Sequence, residues 1–404
     1  MRRHIHLLLV NAAAGLLGAC DTLMTETPPA GDEFAAPLDG LDQSLNAVFL
    51  QGDENFEKAF SVAEGLGPIF NNVSCEGCHP GDGRGSVETG FFRFSAGGDL
   101  LVDAGGPQHQ DKVIPGIRLV PEGVPAGVDK SFRLPLPVFG VGLIEAIPEQ
   151  TIIDLEDPDD ADGDGISGRV NWVTAADFVS ERHVGGGSGV HVGRFSRKAQ
   201  VSSLLEQVSA AYQQDMGVTN DFIPEENFQS QHTATVSIGD VAPDPEISAN
   251  TVLETVMYVR LLQPPARGRI TAQVEAGEAL FNSLQCSACH IPSIRTGDHE
   301  IPELANQTVA LFSDLLLHDM GEGLADNRPD GDADGYEWRT APLWGTRLVA
   351  EFLGGQEFYL HDGRATTVED AILLHGGEAQ AARDGFAALA TADREAVIAF
   401  VKSL

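Results

Sequence analysis

Two stretches of this chain carry reactive side chains at the same spacing: FNNVSCEGCHP (70–80) and FNSLQCSACHIP (281–292). Each contains Cys-x-x-Cys-His. At that spacing two thiols bond one edge of a haem from a single helical turn, and the adjacent histidine turns beneath the iron. A zinc site could gather both cysteine pairs, but it gives no reason for a histidine at the same place in each copy. A redox dithiol normally occurs once, inside a βαβ pattern that is absent here. The duplicated motif therefore points to two covalently bound c-type haems. Cys75, Cys78, Cys286 and Cys289 would be the attachment points, and His79 and His290 the first iron ligands.

The fifth cysteine is explained by its surroundings. MRRHIHLLLVNAAAGLLGAC has a basic start, an apolar run from Leu7 to Leu17, and Cys20 after Leu-Gly-Ala. This reads as a signal peptide, too short to span a bilayer, and its end resembles a bacterial lipobox with Cys20 as the lipidated residue. A plain secretory signal with an incidental cysteine is the blander reading. Export implies an oxidising compartment, where the remaining cysteines would by default form disulfides; the haem spacing argues otherwise. The net charge of −35 excludes nucleic acid and direct binding to anionic lipid headgroups. A bacterial envelope protein results, lipid-anchored to a membrane and facing the periplasm or exterior.

The elements around the motifs fit that chemistry. ENFEKAFSVAEG and TAQVEAGEALFNSL, each ahead of a Cys-x-x-Cys-His, have apolar residues three or four apart and predict helices. The closing ATADREAVIAFVKSL carries a stripe of Ala396, Val397, Phe400, Val401 and Leu404. A helix into the haem motif and a terminal helix packed across it is the cytochrome c arrangement. FRLPLPVFGVG (132–142) echoes WRTAPLWGTR (338–347), and LQPPARGR (262–269) forms a proline-rich seam. The expected organisation is a leader over 1–20, a linker over 21–40, an N-terminal haem domain over 41–265 and a C-terminal one over 266–404. The expected fold is mainly α, with two cytochrome c-like haem domains, long loops and minor β.

Taken as a set, both haem motifs with FGVGLIEAIPE, DADGDGISGRVNWV, DLLLHDMGEGLAD, EWRTAPLWGTR and YLHDGRATTVEDAILLHGGEA resemble the di-haem oxidoreductase family. Its relatives are the bacterial di-haem cytochrome c peroxidases and the di-haem enzyme that matures tryptophan tryptophylquinone. The resemblance runs from about residue 41 to 404. It implies electrons entering at the C-terminal haem from a small periplasmic donor, a cytochrome c or cupredoxin, and hydrogen peroxide reduced at the N-terminal one. It also places His375, in HDGRATTVEDAILLH, at the second ligand position of the C-terminal iron, where the peroxidases have methionine and the quinone-maturing enzyme tyrosine. Met320, in HDMGEG, is the alternative ligand. In GRFSRKA (193–199) Ser196-Arg197 stands where relatives carry Gly-Trp.

The N-terminal iron has fewer claimants. His109 is the only histidine in the first loop after His79, and reads as an iron cap or as decoration of a polar loop; Gln108 and Gln110 are polar neighbours. Glu145 lies in an apolar run, where a carboxylate is costly unless paired or protonated. The resemblance makes it a distal acid/base for peroxide cleavage; the plainer reading is a salt bridge to an arginine. Asp160, Asp162 and Asp164 in one acidic loop, like the DGDADG loop at 330–335, alternate in the manner of a calcium loop, but Asn171 and Ala341 stand at the twelfth positions. Solvated acidic turns are the other reading. Trp172, Trp338 and Trp344 are candidates to lie between the haems, or core residues. Two further functions fit the same motifs: an electron-transfer cytochrome with both irons six-coordinate, and oxidative modification of a partner protein.

Overall fold

Asp42 accepts the Leu45 N–H at 2.8 Å and so starts helix α1, Gln43–Glu57. The computed structural model describes residues 34–116, 121–184, 189–229, 236 and 238–404. The leader, most of the linker and Cys20 lie outside them. After α1 come α2 (Val141–Glu145), α3 (Leu204–Met216) and α4 (Ala249–Leu261). Beyond the seam follow α5 (Ala272–Ser283), α6 (Cys286–Cys289), α7 (Val368–Leu373), α8 (Gln380–Ala388) and α9 (Thr391–Val401). The strands of the described residues pair only as two-stranded antiparallel ribbons, among them Phe91–Ser95 with Asp129–Arg133 and Leu317–Asp319 with Glu337–Arg339. Helices joined by long loops, with minor β, are what the sequence predicts.

The two halves share a helix crossing that accounts for their packing. A Cβ placed on Gly52 of α1 would lie 2.2 Å from the Glu254 carbonyl oxygen of α4. One placed on Gly277 of α5 would lie 2.0 Å from that of Ala396 on α9. Only glycine lets the helix backbones approach so closely. Four residues later, Phe56 packs on Tyr258 at 5.4 Å between ring centroids, and Phe281 on Phe400 at 5.0 Å. Each phenylalanine also lies 6.2 Å from the histidine of its motif. The repeated unit is therefore Gly-x-x-x-Phe.

The structural partner of Phe281 is thus Phe56, not Phe70 as the FN pairing suggests. Phe70 belongs to the short strand Ile69–Phe70, opposite Lys112. The helix expected through ENFEKAFSVAEG stops at Glu57, and Val62–Glu64 forms a separate turn capped by Ser61 and Glu64. A longer connection leads from helix to haem motif in the first half than in the second.

The FRLPLPVFGVG and WRTAPLWGTR segments also match in space. Gly140 has φ +71° and faces the Trp344 ring, while Gly345 has φ +75° and faces Phe139. Each left-handed glycine opens a helical turn, and each aromatic side chain fills the space the other segment's glycine leaves. Two cores result. The smaller gathers Val274, Phe281, Phe386, Val397 and Phe400. The larger holds Phe49, Phe56, Tyr212 and Tyr258, and reaches past residue 265 to take in Ile294, Leu304, Leu311 and Leu316. The C-terminal half therefore lends a segment to the N-terminal core.

Candidate functional site

Each Cys-x-x-Cys-His opens onto a large apolar cavity. Counted with their mouths, the two have empty volumes of about 1730 Å³ and 1740 Å³. Cys75, Cys78, His79 and Phe56 line the first; Cys286, Cys289, His290 and Phe281 line the second. His79 N and His290 N donate to the carbonyls of Cys75 and Cys286 at 2.9 and 3.0 Å, so both motifs make the same turn. None of the four cysteines is in a disulfide. Burial pushes the Cys78 thiol up to about 12 and Cys286 to about 11, the opposite of a reactive redox dithiol.

The second cavity contains two imidazoles held alike. His290 Nδ1 lies 3.0 Å from the Phe312 carbonyl, and His375 Nδ1 lies 2.7 Å from the Ala371 carbonyl, one turn back on α7. A carbonyl accepts only, so Nδ1 carries the proton and Nε2 keeps its lone pair on both rings. Burial, partly offset by these carbonyls, lowers both pKa values, His290 to about 4. Neutral imidazoles with a fixed tautomer are what iron ligation needs. Met320 lines this cavity too. His318 does as well, but both its nitrogens are engaged, by Asp314 at 2.8 Å and Glu378 at 2.7 Å. Burial alone would lower its pKa; these carboxylates raise it well above the usual value and keep it a cation.

The first cavity differs. His79 is there, with its pKa pushed down to about 4 by burial and its Nδ1 buried without a hydrogen-bond partner. Among the described residues Met216, at the end of α3, is the one other lining side chain, beyond the attachment cysteines, of a usual haem-ligand type. Gln108 lines the cavity and donates its amide to Asp215 and, at 3.3 Å, to Asn71. His109 does not line it: its Nε2 lies 2.7 Å from the Glu122 carbonyl. The neighbouring Gln110 is wholly buried and bonds backbone carbonyls. The structure thus gives His109 a loop-fixing contact rather than a place over the iron.

Glu145 is likewise corrected. Its carboxylate is fully buried and absent from the cavity lining, accepting from Arg260 Nε at 2.7 Å and Leu204 N at 2.8 Å, with His183 Nε2 at 3.3 Å. Burial alone would raise its pKa, but Arg260 and His183 outweigh that and hold it at about 2. A carboxylate so firmly ionised ties α2 to α3 and α4 and is a poor proton carrier.

Asp215 is the group that sequence reading missed. It lines the first cavity, and burial raises it to about 6 despite the Gln108 hydrogen bond. A signal existed: an acid one residue from the end of α3 opposes the helix dipole, which a purely structural position would avoid.

The two acidic loops use their carboxylates differently. Asp157, Asp160 and Asp162 bring carboxylates together, while Asp164 turns to line the second cavity. In the other loop Asp330 neutralises Arg133 at 2.6 Å and Arg328 at 3.0 Å, within a buried network that also pairs Asp326 with Lys198 at 2.7 Å. Replacing Asp330 with Ala should destabilise the fold by about 3–5 kcal/mol, because it leaves charged guanidinium groups unpaired in the interior. A urea titration followed by circular dichroism would measure that.

Among the described residues the cavities are also rich in uncommitted cationic donors. Arg133 Nη1, Arg194 Nε and Nη2, and Arg339 Nη1 are buried without partners, and all three arginines line the first cavity. An apolar slot with two thiols, a neutral histidine and spare guanidinium N–H groups suits a haem and its carboxylates. His79 and His290 would hold the iron.

The family described as "Di-haem oxidoreductase, putative peroxidase" matches residues 17–93 and 120–404. Among curated proteins none matches. A solved hydrazine synthase of Kuenenia stuttgartiensis, under xenon pressure, aligns over 100% of both chains at 15% identity with a TM-score of 0.40, a likeness too low to bear on this site. The family match spans both Cys-x-x-Cys-His motifs and the repeated helix crossing that frames them, and on that ground this chain belongs to the di-haem oxidoreductase family.

Proposed function

We propose that this enzyme is a peroxidase-type oxidoreductase with a c-type haem bound through thioethers at each motif, working in the cell envelope on a lipid anchor at Cys20. When bound, the haems would supply electron transfer at the second cavity and peroxide reduction at the first. The supporting observation is the asymmetry of the two cavities. The second offers Nε2 lone pairs from two immobilised imidazoles, His290 and His375, whereas the first offers one, from His79. An iron with two strong protein ligands passes electrons; one with a free face binds peroxide. The donor would be a small periplasmic cytochrome c or cupredoxin.

Reducing peroxide to two waters consumes two electrons and two protons, so the first cavity needs a proton source. Asp215, positioned by the Gln108 amide, suits that role. Its raised pKa keeps it protonated below about 6, and the acid form is lost as pH rises through that value. Turnover should therefore fall above pH 6. Asp215→Asn should abolish that limb and lower turnover by about 10²-fold. An unchanged pH profile in the variant removes Asp215 from the chemistry.

Ferric electron paramagnetic resonance, with peroxide consumption from a reduced cytochrome donor, tests the whole proposal. One high-spin signal, or one that appears on half-reduction, is the expected result. Met216 favours a second reading, in which it completes the first iron and the protein only transfers electrons. Two low-spin signals in the ferric protein, with no high-spin signal at half-reduction and one of the two altered by Met216→Ala, would establish that reading instead.

A further inference from the structure

Three cations stand in the wall between the two cavities, beside Leu136, Ala341 and Pro342. Arg84, Arg197 and Arg339 line both cavities, whereas no tryptophan does. Their hydrogen bonds go to carbonyls: Arg84 to Phe358 at 3.0 Å, Arg339 to Ser196 at 3.1 Å, and Arg197 to Leu134 at 2.9 Å and Leu360 at 3.3 Å. Among the described residues none of the three forms an ion pair with a carboxylate. The acids that act on Arg197 and Arg339 from further away, Asp362 and Asp314, are already held by Arg364 at 2.7 Å and His318 at 2.8 Å. Burial, and then repulsion by Arg84 and Arg339, lowers the Arg197 pKa well below its usual value.

Three like charges in a protein interior cost more than carbonyl hydrogen bonds return, unless anions join them. Guanidinium groups bind carboxylates in bidentate geometry. A haem carries two carboxylates, on the edge across the macrocycle from its thioether-forming groups. We propose that Arg84, Arg197 and Arg339 form one carboxylate-binding wall that takes propionates from both haems, so that the two macrocycles present their acidic edges to each other across it. This rests on the two-haem reading above. Arg197 occupies the centre of the arrangement, because its own carbonyl partners come one from each half of the chain. A single guanidinium between two redox centres lets the charge state of either haem act on the other. Positive charge there favours the reduced form of both.

The test uses full-length holoprotein. Haem content by pyridine haemochrome comes first, and a chain without haem would refute the two-haem reading itself. In the wild type, the propionate-bending modes of both haems in resonance Raman spectra should shift on transfer to D2O, as guanidinium-bonded carboxylates do. Absence of the shift overturns the proposal without any substitution. In spectroelectrochemical titration Arg197→Gln should lower the midpoint potentials of both haems at unchanged haem content, and Arg197→Lys should recover most of the loss. A change confined to one haem, or to neither, rejects the shared wall. Potentials that follow added chloride or phosphate would assign the arginines to a free anion, and so also reject it.

Discussion

Replacing His375 with alanine should convert one of the two haems from low-spin to high-spin and leave the other unaltered. The argument is geometric. The Ala371 carbonyl, 2.7 Å away, fixes the His375 ring by Nδ1, and α7 ends with the ring in the cavity that His290 enters. His318 is unable to substitute, because Asp314 and Glu378 occupy both its nitrogens. Met320 lines the same cavity and is the side chain that could take over. The variants therefore discriminate: Met320→Ala should be spectroscopically silent, and His375→Ala should not. His375→Met should stay low-spin with a raised midpoint potential, since thioether ligation favours the ferrous state. Loss of the ligand should slow peroxide turnover with an external donor by about 10–100-fold, the scale on which disturbed metal ligation usually acts. An unaltered His375→Ala spectrum would transfer the role to Met320.

How much of this was legible in the chain depends on distance along it. The haem motifs, the α5 and α9 helices and His375 are local patterns, each complete within about fifteen residues, and the structure brings the second motif, both helices and His375 to one cavity. Gly-x-x-x-Phe was equally present in both halves. It was obscured because Phe56 lies 23 residues before His79 while Phe281 lies nine before His290, so the nearer Phe70 looked like the counterpart. Glu145 is conspicuous in sequence as a carboxylate in an apolar run. Its role is decided by Arg260, 115 positions away, and no periodicity reports that partner. The cationic wall is the extreme case. Arg84 comes from a loop, Arg197 from a turn and Arg339 from the end of the Glu337–Arg339 strand, and only the fold makes them neighbours of both cavities.

The helix crossings carry the other large effect. Gly277→Ala should destabilise the C-terminal half, although the same change helps most helices. In an exposed helix interior alanine gains about 1 kcal/mol over glycine. Here the new methyl carbon would sit 2.0 Å from the Ala396 carbonyl oxygen and 2.9 Å from Phe400 Cβ. Carbon and oxygen need about 3.3 Å. The obstructing atom is backbone, so no rotamer relieves it, and α9 has to move off α5 by about an ångström. Overpacking of this kind typically costs 1–3 kcal/mol and occasionally more, so a net loss of about 2 kcal/mol is expected. Gly323→Ala, where a methyl group would meet nothing within 4 Å, is the control and should stay within about 0.5 kcal/mol of the wild type. Phe281, Val397 and Val401 line the second cavity, so the displaced helix also opens the wall beside His290. Denaturant unfolding of the holoprotein should show the loss, with the haem spectrum changing only for the His290 site. Gly52→Ala, whose methyl group would meet the Glu254 carbonyl at 2.2 Å, should act in the same direction at the His79 site. Equal stability of Gly277→Ala and Gly323→Ala would mean that α5 and α9 do not meet backbone to backbone, and the repeated frame beneath both cavities would fail with them.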